Sequence, residues 1–162
     1  MIIVSDAAPV ISLAKIDQVD LLGRLFDEVL LPQAVFDEVC RNAMFADEAD
    51  AIRNCSFMSV RTVSHLESVR NLLSLGLDSG ESEAIVLADS LETPLLLIDE
   101  RKGRQVAQKL GIPVVGTLGI LLQAKRDGMI GRLKPLLDTL LEHNIRIGGV
   151  LYRDILEQAG EG

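Results

Sequence analysis

Two periodicities alternate along this chain. Short apolar runs, too brief for helices, occur at residues 2–4 (Ile2-Ile3-Val4), 28–31, 95–98 and 113–115. Residues 57–63 set Phe57, Ser59, Arg61 and Val63 against Met58, Val60 and Thr62, the period of a strand. Between these runs, apolar residues recur three and four apart. This spacing predicts helices over 9–17, 20–26, 33–43 (extended or repeated through 47–54), 65–75, 81–91 and 101–110. Three further helices are predicted over 118–125, 133–143 and 150–158. Strands alternating with helices predict an α/β fold of three layers, α/β/α, around a central parallel sheet of about five strands. No repeat, low-complexity tract or linker interrupts the 162 residues, so one domain over 1–162 is expected.

Acids stand where two of the apolar runs stop. Ile2-Ile3-Val4 leads into Ser5-Asp6, and Leu95-Leu96-Leu97-Ile98 leads into Asp99-Glu100. In an open α/β sheet the carboxyl ends of the strands share one edge, where ligands bind. Asp6 and Asp99 are therefore candidates to meet in space and hold a hard divalent cation, although each also suits a helix N-cap.

Composition narrows the setting. With 48% hydrophobic but only 3% aromatic residues the core must be aliphatic, as suits helices packed on both faces of a parallel sheet. A net charge of −8 argues against holding nucleic acid by bulk positive charge. The imbalance is uneven: residues 1–81 carry 6 Lys/Arg against 13 Asp/Glu, and residues 82–162 carry 10 against 11. Arg101, Lys102, Arg104 and Lys109 follow Asp99 directly, as a local basic rim or as a solvated helix face. Cys40 and Cys55 form no CxxC or metal-ligand pattern, and no signal sequence or membrane-length apolar run is present. A cytoplasmic protein without membrane association is expected.

Two glutamates sit on an otherwise apolar helix. Glu81 belongs to Asp78-x-x-Glu81, a capping box. Glu83 projects between Val86 and Leu87, has no such local explanation, and is the better ligand candidate. On the helix 33–43, Asp37 and Glu38 border the Val35, Phe36, Val39, Cys40 and Ala43 stripe on opposite sides, and the wheel does not choose between them. His65 and His143 are isolated and read as structural or solvated, and Asp47, Glu48 and Asp50 as a solvated helix face. The stripe Leu133, Leu136, Leu137, Leu140 and Leu141 reads as core, or as a homodimer face.

Five segments in order resemble the PIN-domain family, in particular its prokaryotic PIN-like group of unknown function. They are residues 4–11 (VSDAAPVI), 35–39 (VFDEV), 80–85 (GESEAI), 97–100 (LIDE) and 111–117 (GIPVVGT), and the resemblance covers nearly the whole chain. It implies a VapC-like endoribonuclease that hydrolyses RNA phosphodiester bonds with Mg²⁺ or Mn²⁺. Such proteins are often the toxin of a type II toxin–antitoxin pair, whose small DNA-binding antitoxin would be the partner. The resemblance assigns the catalytic and metal-binding acids to Asp6, Glu38, Glu83 and Asp99, and so selects Glu38 over Asp37. Glu81 becomes a helper, and Thr117 a supporting hydroxyl or a helix cap. Many PIN proteins carry Ser or Thr just after the first Asp, whereas this chain has Ala7 and Ala8. The alternative is a PIN-like scaffold that binds a protein or RNA without cutting.

Other acid-rich α/β classes lack their signatures. A receiver domain needs a Lys after the last core strand, where this chain has Gly116-Thr117. A haloacid-dehalogenase-type phosphatase needs Asp-x-Asp, and Ala8 takes the second position. No GxGxxG follows any strand.

Overall fold

A computed structural model describes residues 1–91 and 94–162. Strand β1 (Ile2–Ser5) is followed by helices α1 (Ala7–Lys15) and α2 (Asp20–Leu25), then by β2 (Glu28–Pro32) and α3 (Gln33–Arg41). A 3₁₀ turn at Ala43–Phe45 leads into α4 (Ala46–Arg53), β3 (Met58–Arg61), α5 (Leu66–Ser74) and α6 (Ser79–Leu91). The remaining elements are β4 (Leu96–Leu97), α7 (Arg101–Lys109), β5 (Val114–Val115), α8 (Thr117–Arg126), α9 (Lys134–Glu142) and α10 (Gly149–Gln158).

The five strands form one parallel sheet in the order β3-β2-β1-β4-β5. Successive residues of a strand face opposite sides, and the core divides accordingly. Ile3, Val29, Leu31 and Leu97 face the layer containing α1, α3, α8, α9 and α10. Val4, Leu30, Leu96 and Ile98 face the layer of α5, α6 and α7. The three-layer α/β/α fold with a parallel sheet is thus the one the periodicity predicts. Large aliphatic side chains such as Leu13, Leu22, Ile85, Leu121 and Leu137 are fully buried, each burial contributing about 1.5–3 kcal/mol.

The order of the strands positions the site. From β1 the chain builds outward through β2 and β3, then returns across β1 to build β4 and β5 on the other side. The reversal between β1 and β4 opens a crevice at their carboxyl ends, the switch point where α/β sheets bind ligands. Asp6 follows β1 directly and Asp99 lies two residues past the end of β4, so the topology delivers both acids there. The Asp6 N–H donates to the Leu97 carbonyl at 2.9 Å, extending the β1–β4 pairing up to the acid itself.

Several boundaries differ from the expected ones for local reasons. β4 covers two of the four residues of the apolar run 95–98, yet the Ile98 N–H still donates to Val115 O at 2.9 Å, so the backbone stays extended up to Asp99. α6 starts at Ser79 rather than Glu81, because Asp78 caps it: the Glu81 N–H donates to Asp78 Oδ1 at 2.8 Å and the Asp78 N–H to Glu81 Oε1 at 3.1 Å. In the Leu133 stripe, Leu133, Leu137 and Leu140 are buried as core while Leu141 is exposed. No helix among the described residues is long and apolar enough to cross a membrane.

Candidate functional site

Asp6 is the central acid. It occupies the N-cap position of α1 but caps nothing in the usual way, and its side chain is only 5% exposed. Burial pushes its carboxyl up to about 7; the Ala7 N–H opposes this, and the negative fields of Asp78, Glu38 and Asp99 add to it. The acids whose fields meet at Asp6 come from α3, from the turn before α6 and from the end of β4.

Glu38 projects from the exposed side of α3, and burial together with the field of Asp78 raises its carboxyl. Gly80 lets it approach Asp6. A Cβ at position 80 would lie 3.2 Å from Glu38 Oε2 and 3.4 Å from Asp6 Oδ1, so both oxygens border the space its missing side chain leaves. The structure also separates Asp37 from Glu38. Asp37 accepts from Gln33 Nε2 at 2.9 Å and lies 3.5 Å from Arg41, all on its own helix, while Glu38 lines the cleft beside the switch point.

Asp99 is held by the start of α8. The Thr117 N–H donates to Asp99 Oδ1 at 2.7 Å and the Thr117 hydroxyl to Oδ2 at 2.6 Å. Thr117, itself 5% exposed, is the first residue of α8, and Gly116 holds the N-cap position. The cap of α7 is likewise not Asp99: Glu100 accepts from the Gly103 N–H at 2.8 Å. Neither strand-end acid thus caps the helix that follows it, although Asp99 takes the first N–H of α8 from across the sheet edge. Gly116 permits the grip on Asp99, since a Cβ there would lie 2.7 Å from Asp99 Oδ1.

Glu83 behaves differently from the expectation. Its Oε1 accepts the Ala34 N–H at 3.0 Å, in the first turn of α3. That helix begins after Pro32, which has no side-chain acceptor to offer its free N–H groups, so Glu83 serves as a cap reaching across from α6. The expectation that Glu83 lacks a structural partner therefore fails. Asp78 is the acid that sequence reasoning passed over: its place in the capping box explained it fully and hid its nearness to Asp6 and Glu38. Glu81 is 7% exposed, burial holds its carboxyl well above the usual range, and its Oε2 has no hydrogen bond among the described residues.

The basic residues also differ from expectation. Arg101, Lys102 and Lys109 are solvent-exposed on α7. Arg104 alone comes beside Asp99, donating from Nη1 to the Ile98 carbonyl at 3.0 Å. The cleft of about 540 Å³ that contains Glu38, Asp99 and Thr117 takes its cations from elsewhere, Lys15 at the end of α1 and Arg146 in the loop between α9 and α10. Lys15 is paired with Glu48 at 2.9 Å, so Glu48 is not part of a freely solvated face. His65 and His143 are both exposed. Ala7 and Ala8 line the cleft and supply no hydroxyl.

The chain is thus a parallel α/β fold with acids near its switch point and an aspartate braced by a threonine hydroxyl. A family model described as PIN domain, the group DUF3368, matches residues 2–161, and the chain belongs to this family. PIN domains are generally nucleases and generally use divalent metals. Neither the curated proteins nor the solved structures provide a match.

The donors suit such an ion in kind. They are carboxylate oxygens, the ligands hard cations prefer, and a buried acid surrounded by like charges gains most from a cation. Among the described residues, no group of three or more Asp, Glu, His or Cys is placed to hold a metal ion as it stands.

Proposed function

We propose that this protein is a Mg²⁺- or Mn²⁺-dependent endoribonuclease. The observation that supports the reading is the nearness of Glu38 and Asp99 to Asp6 at the β1/β4 switch point, where burial and these negative fields raise Asp6 to about 7. Asp6, Glu38 and Asp99 would hold the ion, and Glu83, with Glu81 behind it, would fix the α3–α6 frame on which Glu38 stands. When bound, the ion supplies Lewis-acid activation of a scissile phosphate and of a water nucleophile.

The chain's own residues supply the rest. Thr117 orients Asp99 by donating to both of its oxygens, so no rotamer search precedes binding. Gly80 leaves the approach to Asp6 and Glu38 open. The cation offsets the acids' negative charge, which would otherwise repel a phosphodiester.

Family membership further supports a toxin role in a type II toxin–antitoxin pair, with a small DNA-binding antitoxin as partner and a homodimer as the assembled form. Val150 and Leu151, 65% and 48% exposed beside the cleft, offer apolar surface for such a partner. The second reading, a PIN-like scaffold that does not cut, is favoured by the engagement of Glu83 with Ala34 and by the missing hydroxyls at Ala7 and Ala8. Incubating the purified protein with unstructured RNA decides between them. Cleavage is expected only with Mg²⁺ or Mn²⁺ and is expected to fall at least ~100-fold in Asp99→Asn, whose melting stays cooperative. An inactive wild type across varied RNAs and metals would favour the scaffold.

A further inference from the structure

The loop between α9 and α10 is built to present one cation to the acid cleft. α9 ends in a Schellman motif: Asn144 adopts φ 63°, its N–H donates to Leu141 O at 3.0 Å, and the Ile145 N–H donates to Leu140 O at 3.1 Å. Gly148 then takes the N-cap position of α10, and its carbonyl accepts the Tyr152 N–H at 2.8 Å. Three residues remain between these two fixed ends. Ile145 and Ile147 are half-buried against the core, and Arg146 stands exposed between them.

All three line the cleft that holds Glu38, Asp99 and Thr117. The other cation in that lining, Lys15, is neutralised by Glu48 at 2.9 Å. Arg146 has no ion-pair or hydrogen-bond partner among the described residues, although Glu38 and Asp99 line the same cleft. A guanidinium pairs bidentately with a phosphate, and an aliphatic wall beside it gives an unstacked base an apolar surface.

We infer that Arg146 is the binding residue for a substrate phosphate flanking the scissile one. The inference rests on the ribonuclease reading for the chemistry of the substrate. A cleft of about 540 Å³, within the range of small-ligand sites, ~300–1,000 Å³, takes in both Arg146 and the acids Glu38 and Asp99.

The test compares wild type with Arg146→Ala and Arg146→Lys on a fluorescent single-stranded oligoribonucleotide. With Mn²⁺, Arg146→Ala is expected to raise KM about tenfold with kcat changed less than about twofold, and Arg146→Lys to recover most of the loss. In the uncleaving Asp99→Asn background, adding Arg146→Ala should lower the slope of log affinity against log salt by about 0.7, one phosphate contact on a single strand. An unchanged KM and salt slope would overturn the inference. If wild type binds the single strand in an Arg146-dependent way but never cuts it, the ribonuclease reading fails and this one stands. If neither cutting nor binding occurs, or if Arg146→Ala impairs only capture of a partner protein, Arg146 does not serve RNA.

Discussion

Asp6 spends stability to keep a carboxylate where the sheet switches direction. In the fold it holds its proton up to about pH 7, whereas an ordinary aspartate releases it near 3.8. Between those values the native state binds more protons than the unfolded chain, so stability falls as pH rises through that interval. Asp6→Asn should therefore leave the melting temperature nearly unchanged at pH 4 and raise it by about 3 °C or more at pH 8 without metal, as circular dichroism melts would measure. A lower melting temperature for the variant at pH 8 would remove the charge argument. Gly116 makes the complementary case for Asp99. A methyl group at position 116 would meet Asp99 Oδ1 at 2.7 Å, so Gly116→Ala is expected to lower metal-dependent cleavage at least ~10-fold with little loss of stability. Individual residues were legible in the sequence wherever a local pattern existed. The Asp78/Glu81 box is a four-residue motif, and the structure holds it. The bond of Glu83 to Ala34 and that of Thr117 to Asp99 join residues 49 and 18 positions apart, and no local pattern encodes either.

At the scale of elements, periodicity located every strand and helix, while the ends were set by interactions outside each element. α9 is the clearest example. Its N-cap position is Leu133, which has no acceptor, so Glu161 beyond α10 takes the role: Oε2 accepts the Leu133 N–H at 2.7 Å and Oε1 the Lys134 N–H at 3.1 Å. Lys125 Nζ donates to the same Oε2 at 2.7 Å, tying α8 to α9 through one carboxylate. Burial works against ionisation of Glu161, but Lys125 and the two backbone donors outweigh it and hold the carboxyl down to about 2. Its stabilising effect is thus present above the ordinary carboxylate range and is lost as pH falls toward 2. Glu161→Ala is expected to cost about 1–2 kcal/mol near neutral pH by urea unfolding, and progressively less as pH falls below about 4. The end of α9 has its own requirement. Asn144, at φ 63°, accepts Gly in its place, whereas Asn144→Val is expected to cost about 1–2 kcal/mol and to disturb the loop that carries Arg146.

For the whole molecule, the alternation of strands and helices was enough to predict three layers and a parallel sheet, but not the strand order. The order β3-β2-β1-β4-β5 depends on which edge the chain returns to after α6, a choice made by tertiary packing. That order turns two strand-end acids, 93 positions apart in the chain, into neighbours across one crevice. On the proposed reading it also lets a protein of net charge −8 act on a polyanion: a cation would offset the negative charge of the site, and Lys15 and Arg146 line the cleft from a helix end and a loop. The central claim is that the switch-point acids bind a divalent cation, and calorimetric titration of Mn²⁺ at pH 7 in buffers of differing ionisation enthalpy tests it most directly. Because burial and acidic neighbours hold the Asp6 carboxyl up to about 7, wild type is predicted to bind Mn²⁺ with release of a fraction of a proton per ion. Asp6→Asn should release less and bind at least ~10-fold more weakly. Mn²⁺ binding that is unaltered by Asp6→Asn, or that proceeds without proton release in wild type, would contradict the account.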